Sequence, residues 1–117
     1  MELNALKEAV VHALEEAKAT DINIIDVREQ TTITDLMIVC TGRSSRHVNG
    51  VSGSLVTAMK KLKLDYIKTE GEQEGEWAIV DLADIVVHIM LPTAREFYQL
   101  EDLWEPIKLQ RSKHQES

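Results

Sequence analysis

The stretch from Glu70 to Met90 constrains the fold more than any other part of the chain. Two apolar runs, Trp77–Val80 and Ile85–Met90, lie on either side of a short polar break. Runs of this length, rich in β-branched residues and joined by a tight break, predict a β-hairpin. The hairpin is expected to form the middle or the edge of a β-sheet.

The same stretch carries most of the net charge of the chain. It contains six carboxylates and no Lys or Arg, compared with a formal net charge of -7 for all 117 residues. The six are Glu70, Glu72, Glu74, Glu76, Asp81 and Asp84. An acidic chain with a pI near 5.0 disfavours direct contact with naked nucleic acid, which needs a basic stripe, but it suits a basic protein partner.

Trp77 is expected on the exposed side of this hairpin. Side chains alternate between the two faces of a strand, so two sets of three residues separate here. The sets are Trp77, Ile79 and Asp81 on one face and Ala78, Val80 and Leu82 on the other. The small apolar set suits a face covered by helices, which leaves Trp77 on an open face. Two interpretations of Trp77 remain: a core aromatic packed beneath a loop or tail, or the anchor of an interface with an acidic rim.

Three more residues of the hairpin have two interpretations each. Asp81 and Asp84 flank a tight turn, where Asp is common for backbone reasons, and the turn role does not exclude contact with a partner. His88 is either a buried histidine with its polar atoms satisfied or a member of the open face.

The remaining chain predicts three helices and three further strands. These are a helix over residues 2–19, strands over 21–27 and 36–40, a helix from Ser44 or Ser45 to about residue 63, a strand over 65–69, and a helix over 94–103 capped by Thr93 and Glu96. The unbroken apolar strand over 36–40 is expected to be central. The predicted fold class is α/β (α+β), with a mixed five-stranded sheet flanked by helices. A single domain over residues 1–106 and a flexible tail over 107–117 are expected.

Composition excludes several classes of protein. No apolar run approaches the roughly 20 residues of a membrane span, and the first helix is studded with Glu and Lys, so a cytoplasmic location is expected. The single cysteine, Cys40, excludes an internal disulfide and is expected to be an inert core residue. The four histidines have no metal-ligand spacing, and no metal or other cofactor is expected.

No stretch has the complete pattern of a catalytic site. Gly42–Ser45 follows a buried strand and precedes a helix, where backbone amides could hold an anion, but the chain lacks the Lys-Ser or Lys-Thr pair of a P-loop. A nucleotidyltransferase-like metal site would need a second carboxylate after Asp65, at the position where Ile67 stands. The sequence therefore disfavours both kinds of enzyme.

Three ordered segments resemble the signatures of the Iojap-like family, the ribosomal silencing factors (RsfS). The segments are Thr34–Val48, Glu70–Gly71 with Trp77–His88, and Arg95–Trp104. In order and length the resemblance covers roughly Leu3 to Trp104. Two positions depart from it. Leu82–Ala83 stands where many members have an aromatic residue or leucine followed by glycine, and Met90 replaces a commoner aromatic residue or valine.

The resemblance implies a nucleotidyltransferase-like fold without catalytic residues, and hence no enzyme activity. It also implies a protein that binds the large ribosomal subunit through its ribosomal protein fourteen, blocks joining of the small subunit, and represses translation when nutrients are scarce. A homodimer is implied as well. Neither sequence-specific nucleic-acid binding nor a membrane partner is expected.

The acidic hairpin and the resemblance indicate the same partner-binding site. Ribosomal proteins are basic and lie among RNA phosphates, so an acidic surface that bears a tryptophan would attract the first and repel the second. The residues expected to bind the partner are Trp77, Asp81, Leu82, Asp84, His88, Met90 and Tyr98. Two alternatives remain open: a nucleotide-binding enzyme that uses Gly42–Ser45, and a module that only dimerises.

Overall fold

The computed structural model describes residues 1–71 and 74–103. Its elements in chain order are α1 (Leu3–Glu16), β1 (Thr20–Asp26), β2 (Leu36–Thr41), α2 (Ser45–Lys61), β3 (Lys68–Glu70), β4 (Trp77–Asp81), β5 (Ile85–Met90), α3 (Pro92–Tyr98) and a short 3₁₀ helix over Leu100–Leu103. The predicted domain end at residue 106 and the predicted tail lie outside the described residues. Within those residues, no helix has the length and apolar character needed to cross a bilayer.

The five strands form one mixed sheet in the order β1-β2-β5-β4-β3. β2 and β5 run parallel, and the other pairs are antiparallel. The predicted five-stranded mixed sheet and its hairpin are confirmed, although β3 covers only Lys68–Glu70 instead of 65–69. The predicted central position of β2 is wrong, because β5 occupies the middle of the sheet. Every residue of β2 is buried, so its apolar run correctly indicated burial on both faces but not the order of the strands.

One face of the sheet, hereafter the covered face, packs against α1 and α2. Its fully buried strand residues include Ile38, Cys40, Ala78, Val80, Ile85, Val87 and Ile89. The helices contribute Leu6, Val10 and Leu14 from α1 and Val48, Val51, Leu55 and Met59 from α2. These apolar residues recur every three or four positions, which puts them on one side of each helix. The covered face is therefore the main hydrophobic core.

The opposite face, hereafter the open face, is buried over β2 but less completely over the hairpin. Its residues on the hairpin are Trp77, Ile79 and Asp81 of β4 and Val86, His88 and Met90 of β5. α3 and the 3₁₀ helix pack on this face, where Ala94 and Leu100 join a second cluster with Met90. Farther along the hairpin, Ile79 and Val86 remain half-buried. The predicted alternation along β4 is confirmed, because Ala78 and Val80 are fully buried on the covered face.

The last helix differs from the prediction at both ends. α3 begins at Pro92 with no side-chain cap, so the predicted capping box of Thr93 and Glu96 is wrong. Proline is favoured at the start of a helix because its missing N–H would find no partner within the helix there. The helix stops at Tyr98, since Gln99 adopts a left-handed conformation with φ 47°.

Candidate partner-binding site

Trp77 lies at the start of β4 and is half-buried on the open face. Its indole N–H donates a hydrogen bond to Nδ1 of His88 on the neighbouring strand, at 2.9 Å. Its ring packs against Tyr98 of α3, with 4.8 Å between ring centroids and 45° between ring planes. Trp77 is neither a fully buried core aromatic nor a freely exposed anchor. Its indole is held by contacts within the chain and still reaches the surface.

Phe97 and Tyr98 extend this aromatic contact into solvent. Tyr98 is 47% exposed and Phe97 is 79% exposed, and their rings meet edge to face with centroids 4.9 Å apart. Together with Trp77 they are hereafter the aromatic patch. Exposed aromatic clusters mark interaction surfaces, since they offer a large apolar area that water solvates poorly. Sequence reasoning missed Phe97, because a helix as short as α3 has too few apolar positions to separate its exposed side from its buried side.

His88 lies beneath the aromatic patch rather than within it. It is 7% exposed, and burial lowers its pKa to about 4. The neutral imidazole can accept the Trp77 N–H through Nδ1, whereas an imidazolium has protons on both nitrogens and accepts nothing. His88 therefore holds the indole in place and offers little surface to a partner.

Leu82 and Met90 do not reach the surface. Leu82 is 4% exposed and lies in the main core, because it alternates with Asp81 and so faces the helices. Met90 is fully buried, since it lies opposite Trp77 in the ladder, where the cluster that includes Ala94 of α3 encloses it. Both residues were predicted to contact the partner. The structure corrects this prediction, because neither side chain is exposed to a partner in this conformation.

The carboxylates at the β4–β5 turn lie at the far end of β4 from Trp77, about 13 Å along the strand. Asp81 is half-buried, and its Oδ1 accepts the backbone N–H of Ala83 at 2.8 Å. Asp84 is exposed. Ala83 has φ 69°, a left-handed conformation that glycine adopts more readily than alanine. Asp81 thus has the turn role that its position predicts, and the departure from glycine at Ala83 leaves local backbone strain.

Lys68 interrupts the acidic surface of the hairpin. It lies opposite Asp81 in the β3–β4 ladder, and its Nζ is 4.0 Å from Oε1 of Glu70. Both side chains of this ion pair are more than half exposed, so water screens the pair and it contributes little to stability. The surface around the hairpin is therefore acidic overall but not uniformly negative.

Arg95 attaches α3 to the sheet and so positions the aromatic patch. Its Nε donates to Glu101 at 2.8 Å, while its Nη1 donates to the Asp21 carbonyl at 2.7 Å and to the Thr41 hydroxyl at 2.8 Å. Asn23 donates to the same Glu101 carboxylate. The hydrogen bond from the Arg95 guanidinium lowers the pKa of Glu101, which keeps that carboxylate charged. These contacts join the α3 end of the chain to β1 and β2, and no local sequence pattern indicated them.

Hydrogen bonds within the chain hold the Gly42–Ser45 turn against its neighbours. The pairs are Gly42 N–H with the Met90 carbonyl at 3.0 Å, Arg43 N–H with His47 Nδ1 at 3.0 Å, and His47 N–H with Ser44 Oγ at 3.1 Å. The last pair confirms Ser44 as the N-cap of α2. Because the Gly42 and Arg43 N–H groups already have partners, these two donors are not free for the anion that the nucleotide-binding alternative requires.

Metal and thiol chemistry find no support in the part of the chain that the structure describes. Among residues 1–71 and 74–103, no three His, Cys, Asp or Glu side chains are grouped so that they could hold a metal ion. Cys40 is buried, as predicted, and burial raises the pKa of its thiol to about 12. A thiol with such a pKa is protonated at neutral pH and is a poor nucleophile.

The sequence matches, over residues 1–117, the family model described as "Ribosomal silencing factor during starvation". The chain belongs to this family. It is 46% identical over 100 residues to the ribosomal silencing factor RsfS of Haemophilus influenzae, covering 86% of this chain and 98% of that protein. The resemblance found in the sequence is thereby confirmed.

Two further comparisons extend the match. The chain is 37% identical over 100 residues to the mouse protein named mitochondrial assembly of ribosomal large subunit protein 1, covering 83% of this chain but 44% of that longer protein. It is also similar to a crystal structure of a Chromobacterium violaceum protein, with a TM-score of 0.87 and 38% identity over 90% of this chain and 88% of that one. The names of the two matched silencing and assembly proteins describe ribosomal factors rather than enzymes.

Proposed function

We propose that this protein binds the large ribosomal subunit through ribosomal protein fourteen and prevents the small subunit from joining. Family membership supports a silencing role, and the name of the mouse relative supports the choice of the large subunit. The observation in the chain itself that carries the proposal is the aromatic patch beside an acidic hairpin. The family description refers to starvation, and we place the activity in the cytoplasm when nutrients are scarce.

The contact combines an aromatic anchor with an acidic rim. Phe97 and Tyr98 provide the apolar area that a partner buries, and Trp77 supports them from the sheet. Aromatic anchors at the centre of an interface carry most of its binding free energy. Asp81 and Asp84 pair with Lys or Arg of the ribosomal protein, and rim charges of this kind mainly increase the rate and specificity of encounter.

Steric occupancy is sufficient for this mechanism. A bound domain of 13.2 kDa on the joining face excludes the small subunit by overlap, without chemistry on either partner. The degree of inhibition then depends on the protein concentration relative to its dissociation constant for the large subunit. Such a mechanism uses no catalytic group, and we propose a nucleotidyltransferase-like fold that serves only as a scaffold.

Separated ribosomal subunits provide the test. The wild-type protein should co-sediment with large subunits and reduce subunit joining, and Phe97→Ala with Tyr98→Ala should weaken retention at least about tenfold. Tyr66→Ala is the matched control, because Tyr66 is 48% exposed but lies outside the aromatic patch. A folded double variant that is retained as well as wild type would refute the anchor. Failure of the wild-type protein to bind large subunits would refute the function.

Homodimerisation is part of the proposal and is separable from ribosome binding. Sedimentation velocity over a range of concentrations measures the dimer directly. A module that only dimerises would self-associate and yet be absent from every ribosomal fraction at low and moderate salt, which would favour that alternative over the silencing function.

A further inference from the structure

The charge on α2 is opposite in sign to the charge on the acidic hairpin. Residues 36–64 contain no Asp or Glu, although the whole chain contains 20. The same interval contains five cations: Arg43 and Arg46 at the start of α2, and Lys60, Lys61 and Lys63 at its end. All five side chains are exposed. They are hereafter the basic ends of α2.

The basic ends are not neutralised within residues 1–71 and 74–103, where none of the five side chains forms an ion pair. By contrast, Arg28 pairs with Asp26, and Arg95 pairs with Glu101. The helix dipole favours cations at the end of α2 but disfavours Arg43 and Arg46 at its start. Local helix stability therefore accounts for the lysines but not for Arg43 and Arg46, which an anionic partner would explain.

Between its basic ends, the solvent-exposed side of α2 is small and polar. Its members are Asn49, Gly50, Gly53, Ser54 and Thr57, all exposed. A Cβ atom added at Gly50 or Gly53 would meet no atom within 4 Å, so internal packing does not require glycine at either position. Alanine would favour the helical conformation at each of these positions. Glycines that packing does not require allow the backbone of another molecule to approach closely.

We propose that α2 lies across the minor groove of an RNA duplex, with its basic ends on the phosphates that border the groove. Arg46 and Lys60 are about 21 Å apart along the helix axis. The minor groove of A-form RNA is wide and shallow and displays 2′-hydroxyl groups between its phosphate strands. The hydroxyls of Ser54 and Thr57 and the amide of Asn49 are suited to those groups. An acidic protein partner would also match the charge, but no aromatic or large aliphatic anchor of the kind that protein interfaces use lies between the basic ends on this side, and Leu62, 42% exposed, lies at one end of it.

This contact complements the acidic hairpin. On a ribosome, the hairpin would contact a basic protein and α2 would contact RNA. The inference rests on the proposed function only for the source of the RNA, because binding to a duplex can be measured without ribosomes.

Fluorescence anisotropy with a labelled RNA duplex of about 20 base pairs tests the proposal. Lys60→Gln with Lys61→Gln should weaken binding about tenfold at low salt and reduce the slope of log affinity against log salt by about two, as expected when two phosphate contacts are lost. Lys7→Gln with Lys68→Gln removes the same charge from α1 and β3 and should change affinity less than about twofold. A DNA duplex of the same sequence should bind more weakly, since it lacks the 2′-hydroxyl groups.

Three outcomes would overturn the inference. If both pairs of substitutions weakened RNA binding equally, the affinity would depend on net charge alone and not on α2. Absence of wild-type binding to the duplex would remove the RNA contact, even if large subunits still retain the protein and the proposed function stands. The protein could instead self-associate without binding RNA. If only Lys60→Gln with Lys61→Gln abolished that self-association, α2 would be the contact surface for a second copy of the chain. Duplex binding without large-subunit retention would instead support the inference and refute the proposed function.

Discussion

The two faces of the sheet differ in how completely they are sealed. Along the hairpin, the apolar strand residues of the covered face are fully buried, whereas on the open face Ile79 and Val86 stay half-buried and Phe97 of α3 is 79% exposed. A sealed face contributes stability because its apolar area is removed from water, while a partly covered face retains area that a partner can bury. If the proposed site is correct, stability and recognition are on opposite sides of one sheet, and substitutions on each side should separate them.

The largest effect is expected on the covered face. Leu55→Ala should lower the free energy of unfolding by about 3 kcal/mol, because it leaves a cavity among fully buried residues. Phe97→Ala on the open face should lower it by less than about 0.5 kcal/mol, since that side chain is already in water. Urea denaturation measures both. Comparable losses from the two substitutions would contradict the contrast between the faces.

Arg95→Ala should affect stability and partner binding together. The substitution removes hydrogen bonds to Glu101, Asp21 and Thr41, and we expect a loss of about 2 to 3 kcal/mol in unfolding free energy because the Glu101 carboxylate loses its cation. Large-subunit retention should also weaken, since α3 carries the aromatic patch. Arg28→Ala is the control, because its ion pair with Asp26 is largely exposed. Unchanged retention with reduced stability would show that Arg95 does not position the patch.

The free energy of unfolding should depend on pH through His88, by about 2 kcal/mol. In the unfolded chain a histidine titrates near pH 6.5, whereas the folded pKa of His88 is about 4. Between these values the unfolded state binds more protons, so the free energy of unfolding falls as pH is lowered from about 7.5 to 5. His88→Gln keeps an acceptor for the Trp77 N–H but has no group that titrates. The variant should therefore lose the part of the pH dependence that comes from His88. Equal pH slopes for the two proteins in urea denaturation would contradict the burial of His88.

The smallest effect concerns the hairpin turn that joins β4 and β5. Ala83→Gly should raise the free energy of unfolding by about 1 kcal/mol, because Ala83 adopts φ 69°. Ala58→Gly, in the helical conformation of α2, should instead lower it by about 1 kcal/mol. Thermal denaturation of both variants gives the sign of each change in the free energy of unfolding. Opposite signs support backbone strain at Ala83, and destabilisation by both would refute it.

Local patterns in the sequence predicted most of the fold. Alternation along β4 separated Trp77 from Ala78 and Val80 because it depends only on neighbours in the chain. The position of β5 in the middle of the sheet could not be predicted in this way, since it depends on pairing with β2, far away in sequence. The capping box failed because Pro92 starts α3 without a side-chain cap.

The candidate site was predicted only in part, for the same reason. Trp77 and His88 were expected on or near one face, but their hydrogen bond depends on the register between β4 and β5. The stacking of Tyr98 on Trp77 depends on where Arg95 attaches α3 to the sheet, and this is a contact between distant segments. Leu82 and Met90 were misassigned because their burial depends on the helices packed over them.

Among the residues that the structure describes, β5 is both the last strand in sequence and the middle strand of the sheet. While the protein is being synthesised, β1 with β2 and β4 with β3 can pair as two separate ribbons, but no strand connects the ribbons by hydrogen bonds until residues 85–90 have emerged. Until then, β2 and β4 each keep one bare row of backbone donors and acceptors, which is a template for aggregation. A nascent chain that stops before Ile85 would therefore expose two unpaired strand edges rather than form a smaller stable domain.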